Sequence, residues 1–194
     1  MSNLWDRGPA DRRTVFRDSL GQWVRGLVER TEERIVQQRY TRPPGSLPEI
    51  AFLASCTRCG ACSPVCPVHA ILTVPPSGGL AAGTPFLEIE SQPCVACADM
   101  PCVKACPTGA LTLPTNGWTG YRLGLVMLVP ERCVTFEGSP CRVCVDACPM
   151  GNAALGQDEA GHPVLKREGC VGCGMCVREC IASPSAFEFK ALEG

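Results

Sequence analysis

The sixteen cysteines constrain this chain more than any other feature, because they fall into four short runs of four. The first run is Cys56, Cys59, Cys62 and Cys66, followed by Pro67, and its spacing is C-x2-C-x2-C-x3-C-P. This bacterial spacing is typical of a [4Fe–4S] cluster, in which the fourth cysteine binds a different cluster from the first three. One such run therefore needs a partner run.

The other three runs contain every remaining cysteine. They are Cys94, Cys97, Cys102 and Cys106; then Cys133, Cys141, Cys144 and Cys148; then Cys170, Cys173, Cys176 and Cys180. The second and third runs carry insertions, whereas the fourth repeats the cysteine spacing of the first. Because no cysteine is left over, we predict that all sixteen are iron ligands of four [4Fe–4S] clusters.

Two other uses of cysteine fit this spacing less well. A disulfide framework is typical of a small secreted chain, and the sequence has no secretory apolar segment. Structural zinc sites also use C-x2-C pairs, but they usually place two pairs far apart. We therefore favour iron–sulfur chemistry over zinc, and zinc over disulfide bonds.

Composition limits the core and the partners. Aromatic residues are only 6% of the chain, which also has 20 glycines and 18 prolines. We expect a thin hydrophobic core to which the clusters add folding free energy. Residues 45–194 hold nine Lys and Arg against thirteen Asp and Glu, which argues against nucleic acid as a partner. No apolar run approaches the roughly 18 residues of a membrane span.

So many thiolates predict assembly in a reducing compartment, and we expect a cytoplasmic protein. Arg12-Arg13 resembles the start of a twin-arginine export signal. Such a signal continues with an uncharged apolar stretch, whereas Arg17, Asp18 and Arg25 follow here. We therefore do not interpret this segment as an export signal.

The pattern predicts an α+β chain with an N-terminal arm over residues 1–45 and a four-cluster core over residues 46–194. Within the arm, residues 14–39 show the apolar periodicity of an amphipathic helix. This helix could pack on the core, dock on a catalytic partner or a second copy of the chain, or lie on a membrane surface.

The core repeats a cluster loop, a helical turn and a pair of short strands, which indicates two bacterial-type two-cluster ferredoxin units. We expect strands near residues 70–74, 85–90, 109–113, 121–129, 163–165 and 186–190.

The runs can pair sequentially, one with two and three with four, or in a nested manner, one with four and two with three. If runs of similar cysteine spacing pair with each other, the nested arrangement is favoured. Nested pairing gives four ligand sets: Cys56, Cys59, Cys62 and Cys180; Cys66, Cys170, Cys173 and Cys176; Cys94, Cys97, Cys102 and Cys148; Cys106, Cys133, Cys141 and Cys144. Sequential pairing instead places Cys106 in the first set and Cys180 in the third.

Residues 93–107 and 133–144, with the order of the four spacings, resemble the ferredoxin-type proteins of the NapG/MauM family. The resemblance implies four [4Fe–4S] clusters and a non-catalytic role in electron transfer. In the NapG branch the protein is exported and takes electrons from a membrane quinol oxidase. More generally, the chain resembles polyferredoxin subunits that serve molybdenum or tungsten oxidoreductases in the cytoplasm. One departure is Ile181, where a proline would follow Cys180.

We therefore expect an electron-transfer subunit that relays single electrons between a catalytic oxidoreductase and a redox partner. A relay from a membrane quinol dehydrogenase and an iron–sulfur maturation chaperone remain as alternatives. Four cations lie in or beside the loops, where they either raise a cluster potential or are ordinary surface charges: Arg58, Lys104, Arg142 and Arg178. We interpret His69 as structural. Gly60, Gly172 and Gly174 are expected to let backbone amides approach the sulfurs.

Overall fold

The structure, a computed structural model, describes residues 40–192, in which short strands alternate with one-turn helices and cysteine loops. The predicted helix over residues 14–39 lies outside the described residues. The helices are α1 (Glu49–Ser55), α2 (Pro101–Lys104), α3 (Val143–Asp146) and α4 (Met175–Arg178). The strands are β1 (Ile71–Thr73), β2 (Pro85–Leu87), β3 (Gly124–Leu128), β4 (Leu155–Gln157), β5 (Pro163–Leu165) and β6 (Phe187–Ala191).

Two antiparallel hairpins organise the chain. Strand β1 pairs with β2 between the first and second cysteine runs, and β4 pairs with β5 between the third and fourth runs. Strand β6 then returns to pair with β3, with Val126 opposite Phe189. The result is a first half (residues 40–111), a linker (residues 112–123) and a second half (residues 124–192), each half with a cysteine run at either end of its hairpin.

This topology corrects the nested pairing that the spacing favoured. A short antiparallel hairpin brings together the segments on its two flanks, so each run lies beside the run that is next to it in sequence. Run one therefore packs with run two, and run three packs with run four. The insertions in runs two and three do not determine the pairing.

Strand formation differs between the halves. The strand predicted near residues 121–129 is confirmed as β3, whereas that predicted near residues 109–113 is reduced to one bridge, Ser46 with Leu111. Pro43, Pro44 and Pro48 flank Ser46 and have no amide hydrogen to donate, so a ladder cannot extend there. The second half therefore has a five-residue ladder where the first half has a single bridge.

The first half begins before the predicted boundary at residue 45. Thr41 bridges Leu87, and the amide of Gly45 donates to the Tyr121 hydroxyl at 2.9 Å. The side chain of Arg42 is buried and donates two hydrogen bonds to Glu49, at 2.6 and 3.0 Å. Residues 40–45 therefore pack against the first half and form part of it.

Cysteines themselves form part of the buried core of each half, next to a few large side chains such as Phe52 and Leu155. None of the helices described between residues 40 and 192 has the length and apolar character that a membrane span requires.

Candidate iron–sulfur centres

The sixteen cysteines line four separate cavities, four to each. Group I is Cys56, Cys59, Cys62 and Cys106; group II is Cys66, Cys94, Cys97 and Cys102; group III is Cys133, Cys141, Cys144 and Cys180; group IV is Cys148, Cys170, Cys173 and Cys176. The empty volumes are about 480, 360, 340 and 320 Å³, respectively. Each group takes three cysteines from one run and the last cysteine from its neighbour, which is the sequential arrangement.

One-turn helices explain how a run divides its cysteines between two cavities. In runs two, three and four the third cysteine lies on α2, α3 or α4, and the helix ends before the fourth cysteine. Pro107 and Pro149 then follow the fourth cysteine in runs two and three. Since proline cannot continue the hydrogen-bonding pattern, the chain leaves the helix and carries the fourth thiol towards the other cavity.

Backbone amides point at several of the sulfurs. The Sγ atoms of Cys66 and Cys180 accept hydrogen bonds from the amides of Ala70 and Ala186, both at 3.3 Å. The Sγ of Cys106 accepts one from the amide of Leu111 at 3.4 Å. Amide hydrogen bonds stabilise negative charge on sulfur and are one of the factors that set cluster potentials. The fourth cysteines of three runs therefore each accept a backbone amide hydrogen bond at sulfur.

Burial dominates the acid–base properties of the thiols in the metal-free chain. It raises the pKa of Cys94 to about 12 and that of Cys173 to about 11, although amide hydrogen bonds partly oppose it. Repulsion from neighbouring cysteines raises both values further. For Cys106, burial is again the largest single influence, but hydrogen bonds from Leu111 and Thr108 outweigh it and lower the pKa. Cluster binding must therefore displace protons from thiols such as those of Cys94 and Cys173.

The donor sets fit a four-iron cluster better than the alternatives. All sixteen thiols are free, so no disulfide bond is formed between them. Within residues 40–192, no three His, Cys, Asp or Glu side chains converge closely enough to hold a single metal ion. Zinc needs its ligands gathered on one ion, whereas a cube places each thiolate on a different iron. Four thiols spread around one cavity match the requirement of a four-iron cube.

The four loop cations differ in their surroundings. Lys104, Arg142 and Arg178 form exposed ion pairs with Asp99, Asp146 and Glu179, so most of their charge is neutralised locally. Arg58 lines the group I cavity, and its guanidinium donates to the carbonyl oxygens of Leu80 and Ala82, both at 2.9 Å, and of Cys56 at 3.4 Å.

No carboxylate between residues 40 and 192 forms an ion pair with Arg58. It is therefore the loop cation with an uncompensated charge among the described groups.

Two of the three loop glycines have a different role from the predicted one. At Gly172 a Cβ would collide with the backbone of Gly124, and at Gly174 it would collide with Ile89. Both are buried and have positive φ angles of 67° and 85°. They allow run four to pack closely against other segments. Gly60 has open space around it, and its φ of 74° explains the glycine.

The histidines lie outside the four cavities' linings. His69 turns the chain with a φ of 52° and donates its amide to the carbonyl of Cys66 at 3.1 Å. The ring of His162 stacks on Phe136 with centroids 4.1 Å apart.

Trp118 was not singled out from the sequence, yet it lines the group II cavity and donates its indole N–H to the carbonyl of Cys97 at 2.8 Å. Its position in the turn Asn116-Gly117-Trp118 is a weak signal, because an indole is rarely left in a solvated turn.

Comparison with known proteins supports the division into two units. Residues 55–110 and residues 125–181 each match a family model described as a 4Fe-4S dicluster domain. Each match spans two consecutive cysteine runs, as the hairpin topology does. Two dicluster domains with sixteen cysteines correspond to four [4Fe–4S] clusters.

Whole-chain relatives are ferredoxin-type proteins. The chain is 35% identical over 162 residues to the ferredoxin-type protein NapG of Escherichia coli (strain K12), covering 78% of this chain and 70% of NapG. It is 37% identical over 160 residues to the methylamine utilization ferredoxin-type protein MauM of Paracoccus denitrificans (strain Pd 1222), covering 78% of this chain and 71% of MauM. The chain therefore belongs to the NapG/MauM family of ferredoxin-type iron–sulfur proteins.

Proposed function

We propose that this chain is the electron-transfer subunit of an oxidoreductase complex and relays single electrons between a catalytic subunit and a redox partner. In this proposal groups I to IV, with the membership given above, are the ligand sets of the four clusters. The observation that carries it is the division of sixteen thiols into four cavities, four to each.

The distribution of ligands supports transfer of electrons without substrate chemistry. With one thiolate for each iron, a cluster has no open position at which a substrate can bind. Such clusters supply one-electron oxidation and reduction at potentials between about -700 and +450 mV. The protein contributes the thiolates, the amide hydrogen bonds to sulfur and the exclusion of water from the buried ligands.

The partner is proposed at the level of chemical class. The printed names of NapG and MauM describe ferredoxin-type proteins, and the latter name adds methylamine utilization. By resemblance we expect a molybdenum or tungsten oxidoreductase and a cytoplasmic location, with the segment over residues 14–39 as the docking element. A relay from a membrane quinol dehydrogenase and a maturation chaperone are the alternatives that the experiments must separate.

Iron analysis tests the cluster proposal directly. Protein purified without oxygen is expected to contain about 16 iron atoms per chain and to be reduced and reoxidised reversibly. Replacing Cys59, which is exposed, by Ala removes one group I ligand and is expected to lower the iron content by about four. The matched control is Ser63→Ala, a substitution in the same loop that should leave the iron content unchanged. An iron content near four in the parent protein would contradict the proposal.

Native co-purification tests the partner. A catalytic oxidoreductase that contains molybdenum or tungsten, retained by the full chain and lost on deletion of residues 1–39, supports the proposed role. Recovery only with a detergent-extracted membrane protein would favour the quinol relay. Clusters that transfer completely to an added apo-protein would favour the chaperone.

A further inference from the structure

The four cysteine groups are not equally close to one another. Within the first half, Cys62 of group I and Cys102 of group II belong to the same buried cluster of side chains. Within the second half, α3 packs against α4, which brings Cys144 of group III near Cys176 of group IV.

Groups II and IV both contribute to a buried junction between the halves. A small buried cluster there consists of Ala96, Val171 and Cys173, and Cys94 packs against it. Cys94 belongs to group II and Cys173 to group IV, so the two groups meet at this buried cluster.

The junction is closed tightly around this pair. The amide of Leu123 in the linker donates to the carbonyl of Val171 at 2.8 Å. Gly174 packs directly on Ile89, leaving no room for a Cβ. Trp118 covers the same cluster of side chains from the linker and is anchored through its bond to the Cys97 carbonyl. Groups II and IV are therefore joined by closely packed side chains.

We infer that the chain forms one linear electron-transfer path in the order I–II–IV–III. Electrons cross between the halves only at the Cys94–Cys173 junction. Groups I and III are the two ends of this path. The inference rests on the proposed electron-transfer function and adds the order and the terminals. At this junction one electron leaves the cluster of group II and enters the cluster of group IV. No bond forms or breaks, and no proton needs to move.

Most of the cysteines at the three links are buried. The cysteines at the three links are Cys62, Cys102, Cys94, Cys173, Cys176 and Cys144. All of them except Cys94 are buried, and Cys94 is half-buried. Cys59 of group I is exposed, and groups I and III each expose apolar or charged side chains beside their cavity, such as Arg58 and Ile181. Buried links suit transfer within the chain, whereas an exposed end suits transfer to another protein.

Magnetic coupling between reduced clusters tests this order in the full chain. The double variant Cys59→Ala/Cys141→Ala removes one ligand each from groups I and III and leaves groups II and IV complete. The matched variant Cys97→Ala/Cys170→Ala leaves groups I and III complete. None of the four substituted cysteines belongs to a link or is buried. Both variants are expected to hold about eight iron atoms and to be reduced by two electrons.

The first variant is expected to give an electron paramagnetic resonance spectrum broadened by spin–spin coupling. The second is expected to give two independent narrow signals. Coupling in the second variant, or no coupling in the first, would overturn the order. If either variant fails to keep its clusters, iron positions from anomalous diffraction of the native protein decide instead. The shortest separation between iron atoms of different halves must join groups II and IV, and any other pair would refute the inference.

The two proposals fail in different ways. A native chain with far fewer than 16 iron atoms, or with clusters that cannot be reduced, would contradict the proposed function. A native chain with 16 reducible iron atoms but coupling between the wrong groups would leave that function intact and contradict only the order.

Discussion

Replacing Arg42 by Met is expected to destabilise the first half while leaving the second half unchanged. Its buried guanidinium donates to both carboxylate oxygens of Glu49, and to the Thr84 hydroxyl and the Pro85 carbonyl, both at 2.8 Å. It also lies over the ring of Phe52, 4.6 Å from its centroid. Methionine retains the aliphatic packing and loses all of these polar contacts.

The magnitude follows from the contacts. Hydrogen bonds to charged groups contribute about 1.5–3 kcal/mol each, but the contributions of one side chain are not additive. Glu49 is 44% exposed and can be hydrated when Arg42 is removed. We therefore expect a loss of about 2–3 kcal/mol, which accelerates unfolding about 30- to 150-fold where these contacts are broken in the transition state. The control Arg142→Met breaks an exposed ion pair with Asp146 and should cost about 0.3–0.5 kcal/mol.

The assay is the bleaching of cluster absorbance in denaturant without oxygen. Rates are measured rather than an equilibrium midpoint, because loss of a tightly bound cofactor violates two-state behaviour. For Arg42→Met, half of the absorbance should bleach much faster than in the parent protein and half at the parental rate. The reasoning is wrong if Arg42→Met and Arg142→Met bleach alike, or if the Arg42 variant accelerates loss from both halves equally.

Three other predictions concern the potentials, the sheet and pH. A unit charge about 8 Å away in water-like surroundings contributes about 0.5 kcal/mol, or about 20 mV for one electron. Arg58→Gln should therefore lower one of the four midpoint potentials by about 20 mV at low salt, whereas Arg142→Gln should not; equal shifts in a redox titration would contradict this. Gly124→Ala places a Cβ against a ring and a carbonyl of β6 and should destabilise the second half by about 1–3 kcal/mol, seen as faster bleaching of cluster absorbance in denaturant, whereas Gly156→Ala meets only ordinary contacts and serves as the control.

Because burial raises the pKa of Cys94 to about 12, its thiol is protonated near neutral pH in the metal-free chain, and iron must displace the proton. Cluster reconstitution should therefore be faster at pH 8.5 than at pH 6.5, as measured by iron content at a fixed time; a rate independent of pH would contradict this interpretation.

The sequence predicts the candidate ligands because cysteine spacing within a run is a local property. A strand, β5 over residues 163–165, and the helical turns within the runs were predictable for the same reason. Similar cysteine spacing favours the nested pairing of the runs, whereas the segments between the runs favour the sequential one. Those segments contain a strand, a turn and a strand, as in Ile71–Thr73 and Pro85–Leu87, and such a hairpin joins neighbours.

Other features depended on contacts distant in sequence. Arg42 was assigned to the arm, because nothing in its local sequence indicates that Thr84 and Pro85 accept its hydrogen bonds. The glycines at 172 and 174 were attributed to the sulfurs, whereas their small size serves packing against Gly124 and Ile89. Packing between halves of a chain has no periodic signature, so it could not be inferred from spacing.

The hairpin topology also bears on how the protein is made. Because each half uses cysteines from adjacent runs, every cysteine of groups I and II precedes residue 107, and every cysteine of groups III and IV follows residue 132. Domains generally fold in turn as they leave the ribosome, N-terminal part first. The first half can thus acquire both of its clusters while the second half is still being translated. The nested arrangement would not allow this, because each cluster would need cysteines from both halves.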